Sequence, residues 1–214
     1  MIMNKTVFLL LRHGQSIANL NHILAGHTNV DLSELGFEQA RCAAEYLKNT
    51  HIDLIYSSDL IRAYHTALPH AVMRDIPITL SESLREIYLG EWDGIAKRDL
   101  IRDCPEEYNE KWLKHFSTYE PPKGEAVPKL ARRIYNALAE IGRQHPGKTI
   151  LIGTHAAAIR SFYGLISDIP EEDAGSVYPF PDNASVTIVE FDGEKFTPVA
   201  FSVSGHLTIT SSQC

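Results

Sequence analysis

Val7-Phe-Leu-Leu-Leu11, followed at once by Arg12-His-Gly-Gln-Ser16, is the stretch on which the reading of the chain turns. Five apolar residues that stop at a charged, glycine-bearing turn form the pattern of a strand covered on both faces, as in a parallel sheet. A strand covered on one face would alternate with polar residues instead. Asp53-Leu-Ile-Tyr-Ser57 reads as a second, shorter strand, and Thr149 to Gly153 as another buried one.

Helical patterns separate these strands. Ser33 can cap a helix in which Ala40, Ala43, Ala44 and Leu47 share a face and Asn49 marks the end. A second helical pattern runs from Asp59 through Leu60, Ala63 and Ala67, with a kink or break expected at Pro69, and Ile76 to Leu80 reads as a short extended segment. Ala126 to Gln144 is a long amphipathic helix that His145-Pro-Gly147 turns into the Thr149 strand, and Ala156 to Leu165 is the helix after it. Ser185 to Phe191 and Phe196 to Phe201 make a hairpin around Asp192-Gly193. Strands alternating with helices imply an α/β fold: a mostly parallel sheet, with one antiparallel edge strand and helices on both faces.

Residues Gly94 to Glu125 are richer in charge and aromatics, read as helical around Glu106 to Phe116, and end in the breaker cluster Pro121-Pro-Lys-Gly124. They are expected to form a helical insertion or lid, at about 94–125, within a single domain covering residues 1–214. Lys97, Arg98, Arg102, Lys111, Lys114 and Lys123 are balanced there by at least as many acids, the pattern of a solvated face. Tyr108, Trp112 and Tyr119 read first as packing residues, although an organic substrate group could touch them.

Bulk properties narrow the function. A chain of 214 residues, 44% hydrophobic, can bury a substantial core. Its formal charge of -7 leaves no global positive field for nucleic acid or an anionic membrane. No stretch reaches the roughly 18 apolar residues of a membrane span, and the opening Met1 to Leu11 is too short for a signal h-region with a cleavage site. Cys42, Cys104 and Cys214 are odd in number and lack a CxxC pair, which disfavours a disulfide framework and a zinc site and fits a reducing compartment. A cytoplasmic location is therefore expected. No HxxxH or HExxH spacing occurs, so no metal site is expected.

In such sheets ligands bind beyond the carboxyl ends of the strands. Two of the strongest strands end in histidine, at Leu11-Arg-His-Gly-Gln-Ser16 and at Gly153-Thr-His-Ala-Ala157. One such histidine reads as a satisfied residue at the edge of the core; two at equivalent strand ends point to a site. On the residues alone, Glu82, Glu86 and Glu91 are equal candidates for an acid, and Arg62 could be an ordinary helix-surface residue.

Four segments, in order and across most of the chain, resemble the histidine phosphatase superfamily, which includes phosphoglycerate mutases and many small phosphatases. They are Arg12-His-Gly-Gln-Ser16, Ser57-Ser-Asp-Leu-Ile-Arg-Ala-Tyr-His-Thr-Ala67, Leu84-Arg-Glu-Ile-Tyr-Leu-Gly-Glu-Trp-Asp-Gly94 and Gly153-Thr-His155. The resemblance implies a three-layer α/β/α fold of the phosphoglycerate mutase type. It also implies roles: His13 as the nucleophile that becomes phosphohistidine, Glu86 as general acid and base, and Arg12, Arg62 and His155 around the phosphoryl group. Asn19 would add a donor, and Gln15, Ser16, Thr154 and Ala156 would lie near the substrate.

These residue types suit the chemistry. A phosphoryl group in flight spreads charge over several oxygens, so its site needs fixed cationic donors. Guanidinium stays charged and offers a planar fork to phosphate. A neutral imidazole nitrogen can attack phosphorus if its other nitrogen is held by an acceptor, expected to be a backbone carbonyl. Glu86 would give a proton to the leaving oxygen and later take one from water. Gly14 would let the backbone approach the phosphate closely.

The expected activity is hydrolysis of a small phosphomonoester, independent of metal and without a cofactor. Its partner would be a small phosphorylated metabolite, with neither nucleic acid nor membrane involved and a homodimer left open. The alternatives are a phosphoglycerate mutase-type phosphotransferase and a non-catalytic phospholigand-binding protein. Leu89-Gly-Glu-Trp-Asp-Gly94 and the short insertion look like the phosphatase branch, and Ala18 precedes Asn19 where mutases carry tryptophan. Thr154-His-Ala156 departs from the family's usual Ser-His-Gly or Gly-His-Gly.

Overall fold

The computed structural model of the chain describes residues 5–167, 169 and 178–208. In chain order its elements are β1 (Thr6–Arg12), α1 (Ile17–Leu20), α2 (Glu34–Tyr46), β2 (Leu54–Ser57), α3 (Ile61–Arg74), β3 (Ile78–Leu80), α4 (Lys97–Asp103), α5 (Val127–Gln144), β4 (Thr149–Thr154), α6 (Ala156–Ile166), β5 (Val186–Phe191) and β6 (Phe196–Val203). They build one six-stranded sheet in the order β3-β2-β4-β1-β5-β6. The first four strands are parallel, while β5 runs antiparallel to β1 and β6 antiparallel to β5.

The apolar run behaves as its composition demands. Successive side chains of a strand leave on opposite faces. Phe8 and Leu10 accordingly join Leu130, Ile134 and Leu138 of α5 and Phe162 of α6. Leu9 and Leu11 join Ala43, Leu47, Ala67 and Ala71 from α2, its C-terminal cap and α3. Both faces are therefore covered by helices, which gives the three-layer α/β/α arrangement. Each such side chain stabilises the fold by roughly 1.5–3 kcal/mol, so a charge at any of Phe8 to Leu11 would disrupt one layer or the other.

Local signals set the helix starts. The Ser33 hydroxyl accepts the Gly36 N–H at 3.2 Å and begins α2. Three expectations need correction. One strand, β5, runs against the others, but it is not at the edge: β6, joined to it by the expected hairpin, pairs on its outer side and runs in the direction of β1. Pro69 does not break α3, which runs on to Arg74; packing on the sheet outweighs one lost backbone hydrogen bond. Cys42 is disulfide-bonded, and Cys104 is the free cysteine among the described residues. An odd cysteine count leaves one thiol over but does not forbid one pair, and distance along the chain is no bar to proximity in space.

The insertion is helical in pieces: α4, a π-helical turn over Glu107–Trp112 and a 3-10 turn over Phe116–Thr118. Its Tyr108, Trp112, Phe116 and Tyr119 belong to the same buried cluster as Phe8, Ile150 and Leu130. Among the described residues no helix is long and apolar enough to cross a membrane.

Candidate active site

Parallel strands in register bring their following residues to one crevice. Arg12 pairs with Thr154 at the ends of β1 and β4, and the His13 N–H donates to the Thr154 carbonyl at 3.0 Å. The two imidazoles therefore meet, with ring centroids 5.3 Å apart. His13 lies in the wall of a cavity of about 280 Å³ together with Arg12, Asn19, Arg62, Glu86 and Lys97.

Nδ1 of His13 lies 2.7 Å from the carbonyl oxygen of Gly14. Burial, and then the charges of Arg62 and Arg12, hold the His13 pKa well below the ordinary histidine value. The ring is thus neutral, Nδ1–H donates to the carbonyl, and the lone pair is on Nε2. Gly14 supplies the acceptor that the sequence leaves unidentified.

His155 is fully buried and neither of its ring nitrogens has a protein partner. Burial followed by Arg62 and His13 drives its pKa well down too. A buried donor without a partner costs on the order of 1–3 kcal/mol, a cost that a bound anion could relieve.

Arg12 and Arg62 supply the cations. A terminal nitrogen of Arg12 donates to the Pro181 carbonyl, while its Nε has no protein partner. Arg62 is 1% exposed and is gripped by the carbonyls of Ala25, Gly26 and Thr28 at 3.3, 2.8 and 2.9 Å. Burial pushes both guanidinium pKa values down to about 10, against an opposing pull from Glu86. Both still carry their charge at neutral pH.

Glu86 faces the N-terminus of α6. Its oxygens accept from the backbone N–H groups of Ile87 at 2.9 Å, Ala157 at 3.1 Å and Ala158 at 3.0 Å. It therefore satisfies two of the donors that a helix start leaves open. Neither Glu82 nor Glu91 lines the cavity. Asn19 caps α1 reciprocally with Ser16, and its Oδ1 also accepts from Asn183 at 3.2 Å. With the oxygen so engaged, its amide N–H₂ is the end left for a ligand.

Ser16 and Ala156 line the cavity, whereas Gln15, Thr154 and His155 do not. The Gln15 side chain accepts the Ser33 hydroxyl at 2.8 Å, and the Thr154 hydroxyl donates to the Leu84 carbonyl at 2.8 Å. Gln15 and Thr154 are thus anchors of the surrounding loops. Gly14 also has a different reason than expected: a Cβ there would stand 2.5 Å from the Gly36 carbonyl oxygen, so the close approach is to α2.

Four residues of the site were not legible beforehand. Lys97 of α4 reaches the cavity from the insertion, and burial lowers its pKa with help from Arg12. Asp93 accepts the N–H groups of Gly26 at 2.9 Å and His27 at 2.8 Å and the Thr28 hydroxyl at 2.8 Å. It thereby shapes the loop whose carbonyls hold Arg62. Arg133 donates to the Ser83, Arg85 and Glu86 carbonyls and pairs with Glu125, which fixes the segment bearing Glu86. Asn183 ties Asn19 to the His13 carbonyl. Asp93 stands inside the quoted segment Leu84 to Gly94 and Lys97 lies three residues beyond it, the one signal for either; nothing local marks Arg133 or Asn183. Among the described residues no group of three or more His, Cys, Asp or Glu is placed to hold a metal ion.

Comparisons with known proteins bear on this arrangement. Residues 8–204 match the family model of the histidine phosphatase superfamily (branch 1). Phosphoserine phosphatase 1 of Hydrogenobacter thermophilus is 28% identical over 200 residues, covering 93% of each chain. Phosphoglycerate mutase-like protein 4 of Arabidopsis thaliana is 33% identical over 205 residues, covering 94% of this chain and 87% of its own. The solved structure of a mycobacterial glucosyl-3-phosphoglycerate phosphatase complexed with VO3 superposes with a TM-score of 0.85 at 27% identity, over 92% of this chain and 99% of that one. The chain, in which the His13 and His155 rings lie 5.3 Å apart, belongs to the histidine phosphatase superfamily.

Proposed function

We propose that the chain hydrolyses small phosphomonoesters in two steps through a phosphohistidine on His13. The phosphoryl oxygens bind to Arg12, Arg62, the Asn19 amide and His155, whose unpartnered nitrogen gains a bond. Nε2 of His13 attacks phosphorus and the ester P–O bond breaks. Glu86 passes its proton to the departing alkoxide and leaves as a carboxylate. Water then attacks the phosphohistidine, Glu86 takes the proton back, and inorganic phosphate and neutral His13 are restored.

The observation that carries this reading is His13, its Nδ1 tied to the Gly14 carbonyl, in a cavity that also holds Arg12, Arg62 and Glu86, with the buried His155 ring 5.3 Å from it. The relatives named as phosphatases support hydrolysis. The same proposal treats residues 1–214 as one domain with 94–125 as its lid, because the insertion's aromatics share the core of the sheet. Its substrate class, small phosphorylated metabolites, favours the cytoplasm.

The test is phosphate release from an aryl phosphate in EDTA, with an alkaline quench to trap phosphoryl on the protein. Wild type should turn over and carry label on His13, and His13→Ala should do neither while keeping its circular dichroism. Release by His13→Ala, or loss of activity in EDTA, would overturn the mechanism. Transfer of phosphoryl to a second substrate with little free phosphate would instead support the phosphotransferase reading.

A further inference from the structure

The cavity is lined by residues of two unlike kinds, and the apolar ones have a chemistry of their own. Beside the cationic residues, Leu24, Leu89, Tyr108, Trp112, Leu113 and Phe180 give the cavity an apolar wall. The wall is built in advance. Trp112 stacks on Phe180 with centroids 6.0 Å apart, and Trp92 braces both Trp112 and Tyr108 from behind at 6.2 Å. Tyr108 and Trp112 stand on the π-helical turn of Glu107–Trp112, a departure from regular helix that recurs at functional sites.

What the wall lacks is equally informative. An amino-acid phosphate ester brings an ammonium group, which must be paired once it leaves water. Among the described residues that line the cavity, the one carboxylate is Glu86, and its oxygens already accept three backbone N–H groups. Lys97, facing the same space, can pair with the carboxylate of such an ester but repels its ammonium. A polyhydroxylated leaving group fares little better, since most of the wall offers carbon.

We propose that the preferred substrates are phosphomonoesters of apolar or aromatic alcohols, in preference to phosphoserine or sugar phosphates. This rests on the phosphatase reading above and specifies its substrate. The phosphoryl group occupies the arginine end, and the alcohol portion lies against Tyr108, Trp112 and Phe180.

The experiment compares kcat/KM for 2-phenylethyl phosphate, phosphoserine and glycerol 1-phosphate, all esters of primary alcohols. The phenylethyl ester should lead both others by at least about 10-fold, the low end of what filling an apolar pocket confers. The double variant Leu113→Asn with Phe180→Ala should reduce that ratio several-fold; Leu113 is 44% exposed, so its replacement does not threaten the fold. Equal or better use of phosphoserine by wild type, or a ratio unmoved in a double variant with native circular dichroism, would overturn the inference. If the double variant does not fold, the wild-type panel alone decides. An aryl phosphate run alongside separates the two levels of failure. Its turnover with phosphoserine leading sinks only the substrate class, whereas no turnover of any ester sinks the phosphatase reading itself.

Discussion

Acidification from pH 7.5 to 5.5 should cost this protein a large part of its stability, and the cause is countable. His13, His70 and His155 are buried at 4%, 0% and 0% exposure, and neither nitrogen of His70 or His155 has a protein partner. Burial, with Arg74 and His206 adding to it, pushes the His70 pKa down to about 3, while His13 and His155 are held well below the ordinary value. In the unfolded chain all three return to about 6.5. The folded form therefore binds fewer protons than the unfolded form below that pH. Their contribution is fully present above pH 6.5 and is lost as the pH falls. Each of these three forfeits roughly 1.4 kcal/mol between pH 7.5 and 5.5, about 4 kcal/mol together, and His206, buried with its pKa also lowered, adds in the same direction. That is a substantial share of the roughly 5–15 kcal/mol that holds a typical domain together. Asp53, at about 2, and Asp59, also lowered by its partners, act in the same direction but only at lower pH, so this window belongs to the histidines. The assay is urea unfolding followed by circular dichroism at pH 7.5, 6.5 and 5.5, in buffer free of phosphate. His70→Leu should remove roughly a quarter to a third of the pH dependence without touching the cavity. Unfolding free energy that stays flat over this range, or an unchanged slope in His70→Leu, would refute the assignment of these imidazoles as buried and neutral.

Glu86→Gln should lower kcat on alkyl phosphates by roughly 10²–10⁴-fold and less on aryl phosphates with good leaving groups, because only the former need the proton; equal losses on both, measured by phosphate release, would count against the acid role. Asp93→Ala should raise KM more than it lowers kcat, since it frees the loop that grips Arg62, and Asp93→Asn should recover part of the loss because an amide oxygen still accepts from the Gly26 or His27 N–H. Gly36→Ala places a Cβ 2.0 Å from the Gln15 carbonyl oxygen and should destabilise by about 1–3 kcal/mol, read as a fall in Tm of several degrees, although alanine is otherwise the better helix former.

Much of the architecture was legible along the chain. The unbroken Val7–Leu11 run announced a strand covered on both faces, and Ser33 announced the start of α2, because burial periodicity and capping are properties of neighbouring residues. His13 and His155 stood out as strand-end residues, and the parallel register of β1 and β4 then brought them together. Other features could only come from the folded chain. That α3 passes through Pro69, that Lys97 enters the cavity while its insertion looked like a solvated face, that Gly14 serves Gly36, and that Arg133 and Asn183 hold the Glu86 and Asn19 segments are all decided between residues far apart in sequence. A local pattern records which face of an element is wet or dry; which distant carbonyl, helix start or guanidinium meets that face is set by the packing of the layers, and it is there that the site acquires its geometry.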